Sequence, residues 1–484
     1  MVQDFDASLI VKNTGWLYLR SFAVCLADLI AARVVLQGLG VDGFGLYAAI
    51  SGVVGIIAFL DGALEESFRR YFSVEIGKVE GGHVAGAFAA SWVITVFFAL
   101  LVICLGETVG LAFVRLSLAV PEGYRAVSFW AYQLCLLAVA MRILTIPYVS
   151  YTVASERMHP IAFVGVLRAF SLLMVAYAIT QVGSEYRLLS YVTLVSCIEG
   201  LEFAYWRMRF RKRVSAWKKE CRSGGLLKEM CTFCALSSLK PAAFVARYNG
   251  TELLLNLRSG VAFNSTWSVA VRLSGALYTL TGNFLEAFSP QLIKLWGRSD
   301  RRPFFVLHAA VVRCSFSIMW FFAFPVLLYA PEIGGWWLGE NMPPQFSEFV
   351  RALTVNVVFD SLGWPLHSAI IADTRLLRYP FLASGIVASG FLLACLTIAL
   401  GAVEWTAPCG LAVANAIAFA YRVWFLKRNR GLDMRMFGRR VLLPICAIVL
   451  VSVSGAVCLG RLAGVAFSGL AVAMFIRGYT AKSM

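Results

Sequence analysis

Fourteen apolar stretches, each 18 to 32 residues long, leave this chain little material for a water-soluble core. They lie near 14–38, 44–65, 85–106, 125–150, 160–181, 186–207, 230–257, 264–295, 305–330, 346–372, 380–400, 403–426, 439–459 and 461–478. A helix crosses the hydrocarbon core of a bilayer with about 20 residues. Lipid offers the backbone no hydrogen bonds, so each such stretch closes its own as a helix. The pattern predicts an all-α polytopic membrane protein with about 14 transmembrane helices. The first stretch has no small-residue cleavage site and reads as a retained span rather than a signal peptide.

Charge sets the expected topology. Outside the spans, 28 Lys and Arg fall on one side of the membrane when the N-terminus is placed in the cytoplasm, against five on the other, Arg115, Arg125, Arg187, Arg258 and Arg461. Under the positive-inside rule both termini are expected in the cytoplasm. The net charge of +16 is then mostly topology and calls for no nucleic-acid partner. The longest polar connection, RMRFRKRVSAWKKECRSGG, divides the chain into an N-lobe of six helices (1–208), a basic elbow (209–229), a C-lobe of six helices (230–426) and an appended C-terminal helix pair (427–484). The elbow suits anionic headgroups or a docking protein. A faint repeat pairs VVLQGLGVDGFGLYAAISG with LLLNLRSGVAFNSTWSVAVRLSG, which implies two lobes related by a parallel pseudo-two-fold.

Ten cations lie inside the spans: Arg20, Arg33, Arg142, Arg168, Lys240, Arg247, Arg272, Arg313, Arg351 and Arg422. A charge at the bilayer centre costs about 2.5–3.5 kcal/mol, so ten facing lipid would cost roughly 25–35 kcal/mol, more than an ordinary fold's stability. Arg351, Arg422 and Arg168 sit where a long side chain can snorkel to the interface. The other seven, Arg20, Arg33, Arg142, Lys240, Arg247, Arg272 and Arg313, are expected to line a wet, cationic central cavity that contacts an anion. Lys240 and Arg247 are seven residues apart and share a helix face; Arg258 returns to it, and Pro241 stands to bend the register. The alternative for this pair is structural pairing with a buried carboxylate. Asp28, Glu286 and Asp360 are candidate counter-ions or ion-coupling sites, and they leave seven deep cations facing about three deep carboxylates. Pro147, Pro241, Pro290, Pro325 and Pro365 interrupt spans, as kinks or as hinges.

Most cysteines, including Cys25, Cys104, Cys135, Cys197, Cys395 and Cys446, fall in spans as small apolar residues. Cys231 and Cys234 form a lone CTFC with no partner pair, so neither a metal site nor a cofactor is expected. The four histidines, His83, His159, His308 and His367, and the short outer connections 107–124 and 331–345 argue against an enzyme such as a membrane-embedded polysaccharide polymerase or ligase.

RVVLQGLGVDGFGLYAAISGVVGIIAFLDGALEESFRRYFSVEIGK resembles the first helical hairpin of bacterial polysaccharide (O-antigen or exopolysaccharide) repeat-unit flippases of the multidrug/oligosaccharidyl-lipid/polysaccharide exporter superfamily. IPYVSYTVASERMHPIAF and NFLEAFSPQLIKLWG extend the resemblance over residues 10–425. It implies a flippase, not an enzyme, that carries an undecaprenyl-pyrophosphate-linked oligosaccharide from the cytoplasmic to the periplasmic leaflet of the bacterial inner membrane by alternating access. Membrane lipids and a polysaccharide polymerase machinery are the implied partners. The rival within the superfamily is a cation-coupled small-molecule or drug exporter, which calls for an acidic cavity.

Overall fold

The turn that reverses the first span is one residue long. Gly40 takes φ 71° and ψ 174° inside the helix Ala7–Ile57, a region of backbone space essentially reserved for glycine. The same elbow recurs at Gly260 (φ 86°, ψ −176°), between the helices Leu239–Ser259 and Val261–Trp296. It recurs again at Gly460 (φ 92°, ψ 164°), between Leu443–Leu459 and Arg461–Thr480. Gly40 and Gly260 hold matching places in the two repeated stretches, so the faint sequence repeat has a backbone counterpart.

The computed structural model describes residues 7–77, 83–155, 157–217, 224–296, 302–371 and 378–480, and over these the chain is all-α. The helices are α1 (Ala7–Ile57), α2 (Asp61–Gly77), α3 (Val84–Leu105), α4 (Leu111–Leu116), α5 (Arg125–Ala154), α6 (Met158–Thr180), α7 (Arg187–Trp217), α8 (Gly224–Ser237), α9 (Leu239–Ser259), α10 (Val261–Trp296), α11 (Arg302–Leu328), α12 (Ala330–Leu338), α13 (Phe346–Ile371), α14 (Arg378–Ala399), α15 (Thr406–Arg430), α16 (Met434–Phe437), α17 (Leu443–Leu459) and α18 (Arg461–Thr480). π-Helical turns at Gly106–Gly110 and Gly438–Leu442 join α3 to α4 and α16 to α17.

Every expected span falls on helix, and nine runs among the described residues are long and apolar enough to cross a membrane. The chain is a polytopic helical membrane protein. Two expected spans differ in detail. The stretch 44–65 ends its helix at Ile57 and restarts at Asp61. The stretch 230–257 divides at Ser238, since Pro241 has no N–H to continue a helix and sits in the first turn of α9.

Two compact units make up the chain, residues 27–268, and residues 269–484 together with 1–26. In the first, α2, α3, α5 and α7 close over an aromatic core of Phe68, Phe72, Phe88, Tyr132, Tyr148, Trp206 and Phe210. The Phe88 and Phe210 rings stack with centroids 6.2 Å apart, and Tyr148 meets Phe210 at 5.3 Å. Helix α9, expected in the C-lobe, belongs to this unit. Its Asn249 and Glu252 lie against Gly55 and Gly52 of α1, and Gly45 leaves no room for a Cβ against the Val261 carbonyl. Small residues let the backbones approach closely where lipid supplies no hydrophobic drive.

The unit containing residues 269–484 packs Phe304, Phe316, Trp320, Phe324, Leu366, Tyr379, Phe425, Phe437 and Ile448 into a continuous core. Pro365 removes the donor that would serve the Ser361 carbonyl on α13. The Ser315 hydroxyl of α11 donates to that carbonyl at 3.3 Å instead. The C-terminal pair α17–α18 is fastened by Gly455 and Gly464, whose open faces meet Phe467 and Ala456. Trp320 of α11 donates its Nε1–H to the Ser452 hydroxyl of α17 at 3.1 Å.

Candidate functional site

The membrane cations of the unit 27–268 separate into two kinds. Arg142, in the middle of α5, donates from Nε and Nη2 to Asp61 Oδ2 at 3.1 and 2.5 Å. Asp61 opens α2, where a carboxylate also suits the positive helix end. Arg168 of α6 forks onto two carboxylates of α7, pairing with Glu199 and, at 3.0 Å, with Glu202. Glu199 and Glu202 are three apart and so share a face of α7. Glu65 and Glu199 also act electrostatically on Asp61, so one charge network runs through α2, α5, α6 and α7.

These partners correct the sequence-based charge balance. The expectation set seven deep cations against about three carboxylates, whereas Asp61, Glu65, Glu199, Glu202 and Glu252 add five within the expected spans of this unit. The charge of Arg142 is matched by Asp61. Arg168 does not snorkel; it is held by two glutamates. The spacing of Glu199 and Glu202, opposite no cation on their own helix, was the available signal.

Arg247 lies among aromatic rings. It is 3% exposed on α9, its guanidinium lies over the Tyr248 ring at 4.7 Å and near the Phe244 ring at 5.9 Å, and Nη2 donates to the Tyr248 hydroxyl at 3.3 Å. The Tyr248 ring in turn meets buried Trp267 at 6.1 Å. The aromatic collar removes water from the cation. Arg258, its expected companion in a stripe down α9, is exposed at the helix end. Arg33 is half-buried and Asp28 exposed on α1. The side chains of Arg20, Lys240 and Glu286 lie outside the described residues.

In the unit containing residues 269–484, Arg272, Arg313 and Asp360 are half-buried. Arg351 donates from Nε to the Leu327 carbonyl at the end of α11 at 3.1 Å. Arg422 does not snorkel to an interface, since it is 6% exposed and packed over Gly363. Cys234 is buried and Cys231 exposed on α8.

No family model matches the sequence, and no curated protein matches it. Solved structures do. Over 96% of this chain and 99% of that one, the lipid II flippase MurJ in an inward closed conformation superposes with a TM-score of 0.67 at 13% identity. A multidrug resistance MATE family transporter of the MOP superfamily, inward-facing, gives 0.63 at 14% identity over 84% of this chain and 94% of that one. The MATE multidrug transporter DinF-BH gives 0.54 at 12% identity over 89% and 97%. The chain therefore shares the fold of these transporters.

Proposed function

We propose that this protein is a flippase that moves an undecaprenyl-pyrophosphate-linked oligosaccharide from the cytoplasmic to the periplasmic leaflet of the bacterial inner membrane, with both termini in the cytoplasm. Supporting it are the shared fold and one observation above all, the desolvated Arg247 in a membrane helix, 3% exposed and collared by aromatic rings. A planar guanidinium donates two parallel hydrogen bonds to a phosphate, and such bonds strengthen where water is excluded. Arg20, Arg33, Lys240, Arg272 and Arg313 complete the proposed anion path. In that path Arg142 takes part only when its pairing with Asp61 opens. Asp28, Glu286 and Asp360 serve as counter-ions or as the coupling groups, and polysaccharide polymerase machinery is the proposed consumer of the flipped product.

The experiment is complementation of a bacterium lacking its own repeat-unit flippase, comparing wild type with Lys240→Ala plus Arg247→Ala at equal membrane abundance. Restored surface polymer with wild type and its loss in the double variant is the expected result. Equal restoration by both would make these two cations structural.

A second reading, a cation-coupled exporter of small molecules, is favoured by Asp61, Glu199, Glu202 and Glu252 in the helices of the unit 27–268. It predicts drug resistance in an exporter-deficient strain and no polymer in the flippase-deficient one.

A further inference from the structure

Arg422 of α15 stands apart from the paired arginines. It is 6% exposed, and no carboxylate among the described residues lies within ion-pair distance of it. Asp360, three residues before Gly363 on α13, makes no such pair with it. A buried cation left uncompensated is strongly destabilising. The C-terminus of its own helix does not cancel this charge, because that field falls off within the last turn and Arg422 lies eight residues before Arg430, where α15 ends.

The side chain is nonetheless held in place. Its guanidinium lies over Gly363, where any Cβ would displace it, and its charge acts on the nearby Tyr379 hydroxyl of α14. The Tyr379 oxygen is in turn 2.9 Å from His367 Nδ1 of α13. A cation beside the hydroxyl favours the orientation in which the tyrosine oxygen faces Arg422 and its proton faces His367 Nδ1. Three helices thus bring a fixed cation, a hydroxyl and an imidazole to one end of the bundle. Arg422 Nε stays buried with no hydrogen-bond partner. After Arg422 the chain adds further positive charge in the exposed side chains of Lys427, Arg428, Arg439 and Arg440. The one carboxylate in that stretch, Asp433, is exposed and accepts from the Arg435 N–H as the cap of α16.

We propose that Arg422, Tyr379 and His367 form a binding site for a phosphate group, the anion whose oxygens take the free Nε–H and balance the buried charge. The site is built from the unit containing residues 269–484 alone and stands whether or not the transport reading above holds. Both a phospholipid headgroup and a soluble phosphate carry the required chemistry.

The test uses the purified full-length protein and its thermal unfolding midpoint. In neutral detergent, inorganic phosphate is titrated against sodium chloride at equal ionic strength; in nanodiscs, phosphatidylcholine is compared with the same lipid containing phosphatidic acid. A saturating ligand is expected to raise the midpoint by about 3 °C. A rise with phosphate in detergent identifies a soluble anion, and a rise only with phosphatidic acid identifies a headgroup. Arg422→Gln and Tyr379→Phe should abolish or halve the shift. Arg422→Lys, which keeps the charge and so guards against simple misfolding, should lose most of it with the fork. The proposal is overturned by no shift in either medium or by equal shifts in all variants.

Discussion

The intramembrane ion pairs differ in burial, and burial should rank their variants. Glu199 leaves 8% of its side chain exposed and Glu202 leaves 18%, though both face Arg168. Removing the more buried partner strands more of the arginine's charge, so Glu199→Gln should destabilise by about 3 kcal/mol and Glu202→Gln by about 1 kcal/mol. Chemical denaturation in detergent at fixed protein concentration measures the difference, and equal losses would contradict the ranking. The Arg142–Asp61 pair is more open, at 48% and 23% exposed. A double-mutant cycle with Arg142→Gln and Asp61→Asn should return a coupling of about 1 kcal/mol; a coupling near zero would mean the contact contributes no stability. From sequence the arginines were conspicuous, because a guanidinium in an apolar run is anomalous by itself. Their partners were not, since a carboxylate's role depends on a helix far away in the chain: Asp61 and Arg142 are 81 residues apart.

Among elements, the single-glycine elbows carry the sharpest expectation. No atom lies within 4 Å of a Cβ placed on Gly40 or Gly260, so alanine there meets only backbone strain, about 1–3 kcal/mol at each site. At Gly45 the backbone is ordinary helix, and alanine fails for a different reason, the Val261 carbonyl in its path. Gly275 of α10 is exposed with nothing near its missing Cβ, and Gly275→Ala should stabilise by up to about 1 kcal/mol through helix propensity. Unfolding midpoints of the four alanine variants, three lowered and one raised, check the set together. The repeat that contains Gly40 and Gly260 was legible in the sequence, whereas the division of the seventh span at Ser238 was foreshadowed only by Pro241. Burial of Arg422 was not legible, since its position five residues before Lys427 fits a snorkelling residue equally well until Gly363 on another helix is seen to receive it.

For the molecule as a whole, the distribution of basic residues predicts that a reporter fused at the C-terminus is active only in the cytoplasm. A cysteine placed at Arg258 should then react with an impermeant thiol reagent from outside intact spheroplasts. The opposite pattern would invert the orientation and with it the proposed direction of transport. The sequence by itself determined that this chain is helical and membrane-spanning, because the bilayer demands about 20 apolar residues per crossing and no other backbone solution survives there. It also carried the repeat that holds Gly40 and Gly260, although which glycines adopt the elbow conformation only the backbone shows. Which charges neutralise one another was decided by tertiary structure alone. Pairing depends on distances between helices that hydropathy does not encode, so the same arginine reads as a substrate contact, a structural ion pair or a snorkelling residue until its neighbours are in place.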